Sequence, residues 1–157
     1  MLKLRKNKKG FTLVELIVVI AIMAVLAGTV AGVTVSQLNK QTDNTNKTQA
    51  KKIADTIYTE LLEAAESATA SEGEGSETTT DPIKTALVEA FGEDGKVFNW
   101  VTAAGNEKGK IYVWKATDVT IENSTVKEYH VKYIGKQGAK GTVEYKVNEV
   151  QGVQKVG

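Results

Sequence analysis

Lys8-Lys9-Gly10-Phe11-Thr12-Leu13-Val14-Glu15-Leu16 stands between a block of positive charge and an apolar run that continues to Val35. Lys3, Arg5, Lys6, Lys8 and Lys9 precede it with no acid among them. Between Phe11 and Asn39 the only ionisable residue is Glu15, and Leu16–Gly28 is entirely apolar or glycine. About 20 apolar residues at 1.5 Å rise per residue cross a hydrocarbon core about 30 Å thick. The basic block predicts a cytoplasmic N-terminus and an exported remainder. A carboxylate at the mouth of such a segment is costly unless paired, so Glu15 calls for a partner. Two plain readings compete. An ordinary signal peptide would be cut after the apolar stretch, for instance at Ala27-Gly28-Thr29, and a single-pass anchor would not be cut. Neither explains Gly-Phe-Thr-Leu-Val-Glu at the junction.

The run Lys8–Leu16, with an unbroken apolar helix after it, resembles the processing motif of the type IV pilin and pseudopilin superfamily. The resemblance implies that a membrane-embedded prepilin peptidase cuts between Gly10 and Phe11 and methylates the new amine of Phe11. It also implies that Glu15 orders assembly. Four residues from the new amino terminus, Glu15 lies one helical turn from a positive charge. In a filament that charge can belong to a neighbouring subunit, and a paired buried acid penalises wrong registers. Many family members carry a proline midway along this helix. Here the single proline is Pro82, and Ala24, Gly28 and Gly32 instead form a small-residue ridge that lets helices approach closely.

With 157 residues, the chain holds one small domain plus an anchor. It has no cysteine, so disulfides and thiolate metal sites do not contribute. Formal charge is +1; removing the five leader cations from 20 Lys and Arg leaves 15 against 19 Asp and Glu, a net of −4. A mildly acidic exported domain lacks the basic footprint of a nucleic-acid binder.

The segments expected are a leader over 1–10, an apolar membrane and assembly helix over 11–35, a neck and amphipathic helix over 36–68, an acidic flexible loop over 69–82, and a head over 83–157. Ser36–Gln49 is almost wholly polar and reads as a neck. From Ala50 a helical stripe appears: Ala50, Ile53, Ala54, Ile57, Leu61, Ala64, Ala65, Ala68. Glu72–Thr80 is acidic and glycine-containing, a loop whose acids lack the spacing of a calcium-binding loop. Asp81-Pro82 starts a short helix through Phe91, and Gly92–Gly95 ends it.

Beyond this the period becomes two. Ile111–Trp114 is strand-like, with Val97–Val101 pairing back to it across Gly105–Gly109. Tyr129, Val131 and Tyr133 alternate with polar residues, as do Val143, Tyr145 and Val147, with Gly135–Gly141 turning one strand into the other. Val119 and Ile121 form a further short strand or an ordered loop. Helix first and meander after predicts an α+β head, an antiparallel sheet with one face on the helix stripe. This is also the pilin fold implied by the resemblance.

No catalytic constellation emerges: His130 is the only histidine and is expected exposed on a polar face with Glu128 and Lys132. Trp100 and Trp114 read as core aromatics rather than a binding platform. No cofactor or metal is expected, and the chain is not read as an enzyme. The leading function is a structural subunit, a major or minor pilin polymerised through its N-terminal helix. The alternative is a pseudopilin of a type II secretion or DNA-uptake machine; a tip adhesin or membrane-anchored sensor is more distant. Implied partners are copies of itself, other pilins, the peptidase, a membrane platform with a cytoplasmic ATPase, and the lipid bilayer. The subunit would sit in the cytoplasmic membrane, head exported, before reaching a surface fibre.

Overall fold

The structure is a computed structural model that describes residues 10–70 and 81–156. The leader before Gly10, the acidic stretch Glu72–Thr80 and the side chain of Ala68 lie outside the described residues. Two compact units are present, Met1–Leu38 and Asn39–Gly157, with helix α1 (Leu13–Ala70) contributing to both.

In the first unit, no other described helix or strand accompanies α1. Its large apolar residues stand exposed from Leu13 through Leu38. The Thr29 hydroxyl donates to the Leu26 carbonyl at 3.0 Å and Thr34 to Val30 at 2.8 Å. Those hydroxyls are therefore absorbed by the helix itself, as an apolar surrounding demands.

The second unit has a helical layer against a sheet. Along α1, Ala50, Ile53, Ala54 and Ile57 are fully buried and Leu61 nearly so. Ala64 is exposed and Ala65 half-buried, so the buried stripe stops at Leu61, sooner than the spacing predicts. Helix α2 (Pro82–Phe91) buries Ile83 and Leu87 beside it. Its start is built as the sequence indicates: the Asp81 carboxylate accepts from the Ile83 amide at 3.0 Å, with proline at the first turn. The same carboxylate accepts from the Tyr129 hydroxyl at 3.0 Å, joining α2 to the sheet.

The main sheet runs β1 (Asn99–Trp100), β2 (Ile111–Lys115), β5 (Tyr129–Tyr133), β6 (Val143–Asn148), β7 (Gly152–Val156) in space, antiparallel except for β1 against β2. A small hairpin, β3 (Val119–Ile121) with β4 (Ser124–Val126), stands apart. Its two-residue turn places both Glu122 and Asn123 at positive φ, the arrangement that matches strand twist. Register sets Ile111, Tyr133 and Val143 in one row and Val113, Val131 and Tyr145 in the next. These residues and Phe98 join the helix stripe in a single core. Each fully buried Ile or Phe contributes about 1.5–3 kcal/mol.

Two expectations need correction. The 97–101 segment does pair with β2, but in parallel, Asn99 opposite Tyr112. Residues 101–110 do not make a tight turn. They fold over Tyr112, whose hydroxyl accepts from the Glu107 amide at 3.3 Å. A Cβ on Gly105 would overlap that ring. Strand β7 was not anticipated; its burial is intermediate and its alternation shallow, which left no clear period to read.

The polar neck holds the least expected residue of the fold. Asp43 is 2% exposed, on the face that continues to Ala50 and Ile57. Its carboxylate accepts from the Tyr133 hydroxyl at 2.7 Å, the Lys136 amide at 2.8 Å and the Gln137 amide at 3.2 Å. Lys47 Nζ donates to the Lys140 carbonyl at 2.9 Å beside it. The β5–β6 connection is therefore clamped to the helix. Glycine is required there: a Cβ on Gly141 would overlap the Asp43 carboxylate, and one on Gly135 would overlap the Gly141 backbone. Gly138 has φ +74°, which glycine adopts without strain.

Burial alone would raise the Asp43 pKa, but the Tyr133 hydroxyl, the two amides and the Lys47 charge outweigh it and hold the carboxyl below its ordinary value. A carboxyl depressed by folding contributes stability above its unfolded pKa, and the contribution is lost as pH falls through the folded value. Asp43→Ala, leaving three donors without their acceptor, is expected to lower unfolding free energy by about 3 kcal/mol. Urea unfolding at pH 7 checks the loss. At pH 2 the gap between variant and wild type should shrink; an unchanged gap would mean that the charge contributes nothing.

Candidate functional site

The N-terminal unit is the part of the chain built for something outside itself. Gly10, Phe11 and Thr12 precede the helix, and Phe11 is 90% exposed. A Cβ on Gly10 would meet nothing within 4 Å, so the Gly10–Phe11 bond lies in open, non-helical chain. Thr12 and Glu15 close the first turn reciprocally. The Thr12 amide and hydroxyl each donate to Glu15 Oε2 at 2.8 Å, and the Glu15 amide donates to Thr12 Oγ1 at 3.3 Å. This is a capping box, Thr-x-x-Glu, satisfying amides that the first helical turn otherwise leaves orphaned. The spacing was visible in Thr12-Leu13-Val14-Glu15, yet sequence reasoning paired Glu15 with an amino terminus, its own or a neighbour's, and not with Thr12. Within one subunit its carboxylate is already hydrogen-bonded, next to the bond expected to be processed.

Ala24, Gly28 and Gly32 all lie exposed on this helix, one turn apart. A Cβ on Gly28 or Gly32 would meet nothing within 4 Å. The subunit's own packing therefore does not require glycine at either position.

A model of the prokaryotic N-terminal methylation motif matches residues 5–31. This is the prepilin leader of the type IV pilin and pseudopilin superfamily. The match covers the charge block from Arg5 on, the Gly10–Phe11 junction, the capping box and most of the exposed apolar helix, stopping just short of Gly32. No match was found among curated proteins or among solved structures. The prepilin motif, the long N-terminal helix and the antiparallel-rich sheet together give an α+β, pilin-like architecture. The motif points to a structural protein rather than an enzyme. It implies, in general terms, processing by a prepilin peptidase and assembly with other pilins. The helix is long and apolar enough to cross a membrane, which fits anchoring before assembly.

The remaining candidate residues lie in the head. His130 is not exposed as expected: its side chain is 12% exposed, with Nε2 2.9 Å from Glu128 and Nδ1 3.1 Å from Glu144. Its ring stacks on Trp114 at 4.9 Å between centroids. The strand pairing explains this, since Trp114, His130 and Lys146 form one cross-strand row on the outer face. Alternation assigned that face correctly but could not show that neighbouring strands cover it. Lys132 pairs with Glu144 at 2.9 Å and Lys146 with Glu128 at 3.7 Å, so the cluster is internally balanced. Burial pushes the Glu144 pKa up, and the hydrogen bonds and charges of Lys132 and His130 bring it below its ordinary value. The arrangement is a compensated ion-pair patch that holds β2, β5 and β6 in register. Trp100 packs against the core as expected, its ring 6.2 Å from Tyr129, whereas Trp114 caps His130 outside it.

Replacing Thr12 by alanine removes one half of the capping box. In detergent-solubilised uncut protein, amide exchange at Glu15, whose N–H donates to Thr12 Oγ1, is expected to accelerate about fivefold, the usual worth of a lost threonine cap. Unchanged exchange would show that the cap does not hold the first turn.

Proposed function

We propose that this chain is a structural subunit of a type IV pilus. It is cut between Gly10 and Phe11, methylated on Phe11 and polymerised through the apolar helix. The observation that carries the reading is the methylation motif placed on a helix whose apolar side chains stay exposed. A surface of that kind is tolerated only in lipid or against like helices. The first serves a membrane-stored precursor, with leader cytoplasmic and head exported. The second serves a fibre.

In this reading residues 1–10 are the leader, 11–35 the membrane and assembly helix, 36–68 the neck and amphipathic helix, 69–82 an acidic loop and 83–157 the head. Glu15 exchanges its capping bond to Thr12 for the amino terminus of Phe11 in a neighbouring subunit. Ala24, Gly28 and Gly32 offer a ridge for close helix contact. Force for extrusion comes from a separate cytoplasmic ATPase and membrane platform. A pseudopilin of a secretion or DNA-uptake machine would use the same N-terminus and differ in where the processed protein accumulates.

Mass spectrometry of material sheared from the cell surface is expected to find an N-terminus at Phe11 carrying one added methyl. Processed protein confined to the membrane fraction would instead favour a pseudopilin. An intact Met1, or a cut after Ala27, would overturn the pilin reading. Glu15→Ala is expected to leave processing intact while sheared fibres fall at least about tenfold; normal fibres would sink the pairing role of Glu15.

A further inference from the structure

The head is electrically polarised along its helix. Lys40, Lys47, Lys51 and Lys52 come first along α1, and Asp55, Glu60, Glu63 and Glu66 follow. The sheet repeats the order. At the end where Asp43 clamps the β5–β6 connection stand Lys136 and Lys140. Lys110 joins them, because its carbonyl accepts from the Ile134 amide at 3.0 Å. At the other end of the sheet, where Gly152 lies against Tyr58, the neighbouring loops carry three acids, Asp118, Glu122 and Glu149, against two lysines, Lys115 (3.8 Å from Asp118) and Lys127.

The basic end has a formed recess. A cleft of about 180 Å³ is lined by Lys40, Asp43, Asn44, Lys47, Gln137 and Lys140. Asp43 is its only acid, and that carboxylate is turned inward to the Tyr133 hydroxyl and two backbone amides. Glu107, exposed on the loop over Tyr112, and Glu144, paired with Lys132 at 2.9 Å, are further acids near this end. Lys40 and Lys140 are therefore exposed, and Lys47 half-buried with its ammonium on the Lys140 carbonyl, around one small polar cleft with a single, already satisfied, negative charge.

Position along the chain puts that charge close to the end of the apolar run. Lys40 is five residues beyond Val35, the last residue of the apolar run. In any conformation, that backbone keeps Lys40 within about 18 Å of Val35. The headgroup layer begins where the hydrocarbon ends and adds roughly 5–7 Å per leaflet. Lysines on the exported flank also run against the usual bias that places Lys and Arg on the cytoplasmic side, so topology does not account for them.

We propose that the cleft between the start of the head helix and the β5–β6 connection binds the phosphates of anionic phospholipid in the membrane-stored subunit. The inference rests on the membrane-stored precursor proposed above. The lysine stems lie along the surface of the head while the ammonium groups reach the phosphates. Leaving the membrane for a fibre breaks these contacts, so anionic lipid holds the subunit in its stored state.

The test uses the full chain in vesicles of phosphatidylglycerol or of phosphatidylcholine. Flotation reports insertion. A membrane-impermeant amine reagent, read by mass spectrometry, reports the accessibility of each lysine, with Lys115 and Lys127 as internal references at the other end of the sheet. Labelling of Lys40, Lys47 and Lys140 is expected to slow at least about fivefold in phosphatidylglycerol relative to phosphatidylcholine, and to recover in 0.5 M salt. In the double variant Lys136→Gln, Lys140→Gln, protection of Lys40 and Lys47 should weaken while flotation is unchanged.

Equal labelling in both lipids, with normal flotation, would overturn the lipid site and leave the pilin reading intact. Failure to float would overturn the membrane-stored precursor itself. Protection that is the same in both lipids and grows with the protein-to-lipid ratio would also overturn the proposal, assigning the cleft to a second copy of the chain.

Discussion

The carboxylate of Asp43 accepts a tyrosine hydroxyl from the end of β5 and two amides from the connection that follows. Much of the head depends on that one acceptor. Buried amides without a partner are expensive, and a glycine-rich connection has little apolar surface with which to hold itself. Bringing Gly135 and Gly141 together allows β6 to return directly beside β5, which sets the register of the central strands. From that register follow the inward rows of the core and the outward row of Trp114, His130 and Lys146. A carboxylate also holds this position better than an apolar residue would, because its charge strengthens each of the bonds it accepts.

The other constraint is the opposite of burial. From Phe11 to Leu38 the chain keeps its large apolar side chains exposed, and its helix disposes of the two threonine hydroxyls internally. Among the described residues of that unit, no other helix or strand covers this apolar surface. The first turn is nonetheless finished within the subunit, because Thr12 and Glu15 cap one another. A helix whose start is already satisfied can present the residues before it as open chain.

Much of this was legible in the sequence where a pattern had a short period and a single cause. The charge block followed by Gly-Phe-Thr-Leu-Val-Glu marked the N-terminus, Asp81-Pro82 marked α2, and strict alternation marked β5 and the first half of β6. Errors fell where burial is made by the far side of the chain. The 97–101 segment joined the sheet in parallel, with residues 101–110 folded over Tyr112 instead of forming a hairpin turn. His130 was expected exposed because alternation identifies a face but not what covers it. Asp43 was passed over as neck, although seven residues before Ala50 it lies on the same helical stripe.

By itself, then, the sequence determined the N-terminal methylation motif, the apolar helix, and the order of helix before sheet. These depend on local composition and on periods of 2 and 3.6, which neighbouring residues set among themselves. Only the tertiary structure decided the parallel edge strand, the compensated cluster around His130 and the buried role of Asp43. Those depend on partners dozens of residues away, where Asp43 meets Tyr133 across 90 positions of chain. No local pattern records such a meeting, because the free energy that makes it favourable exists only once both surfaces have left water.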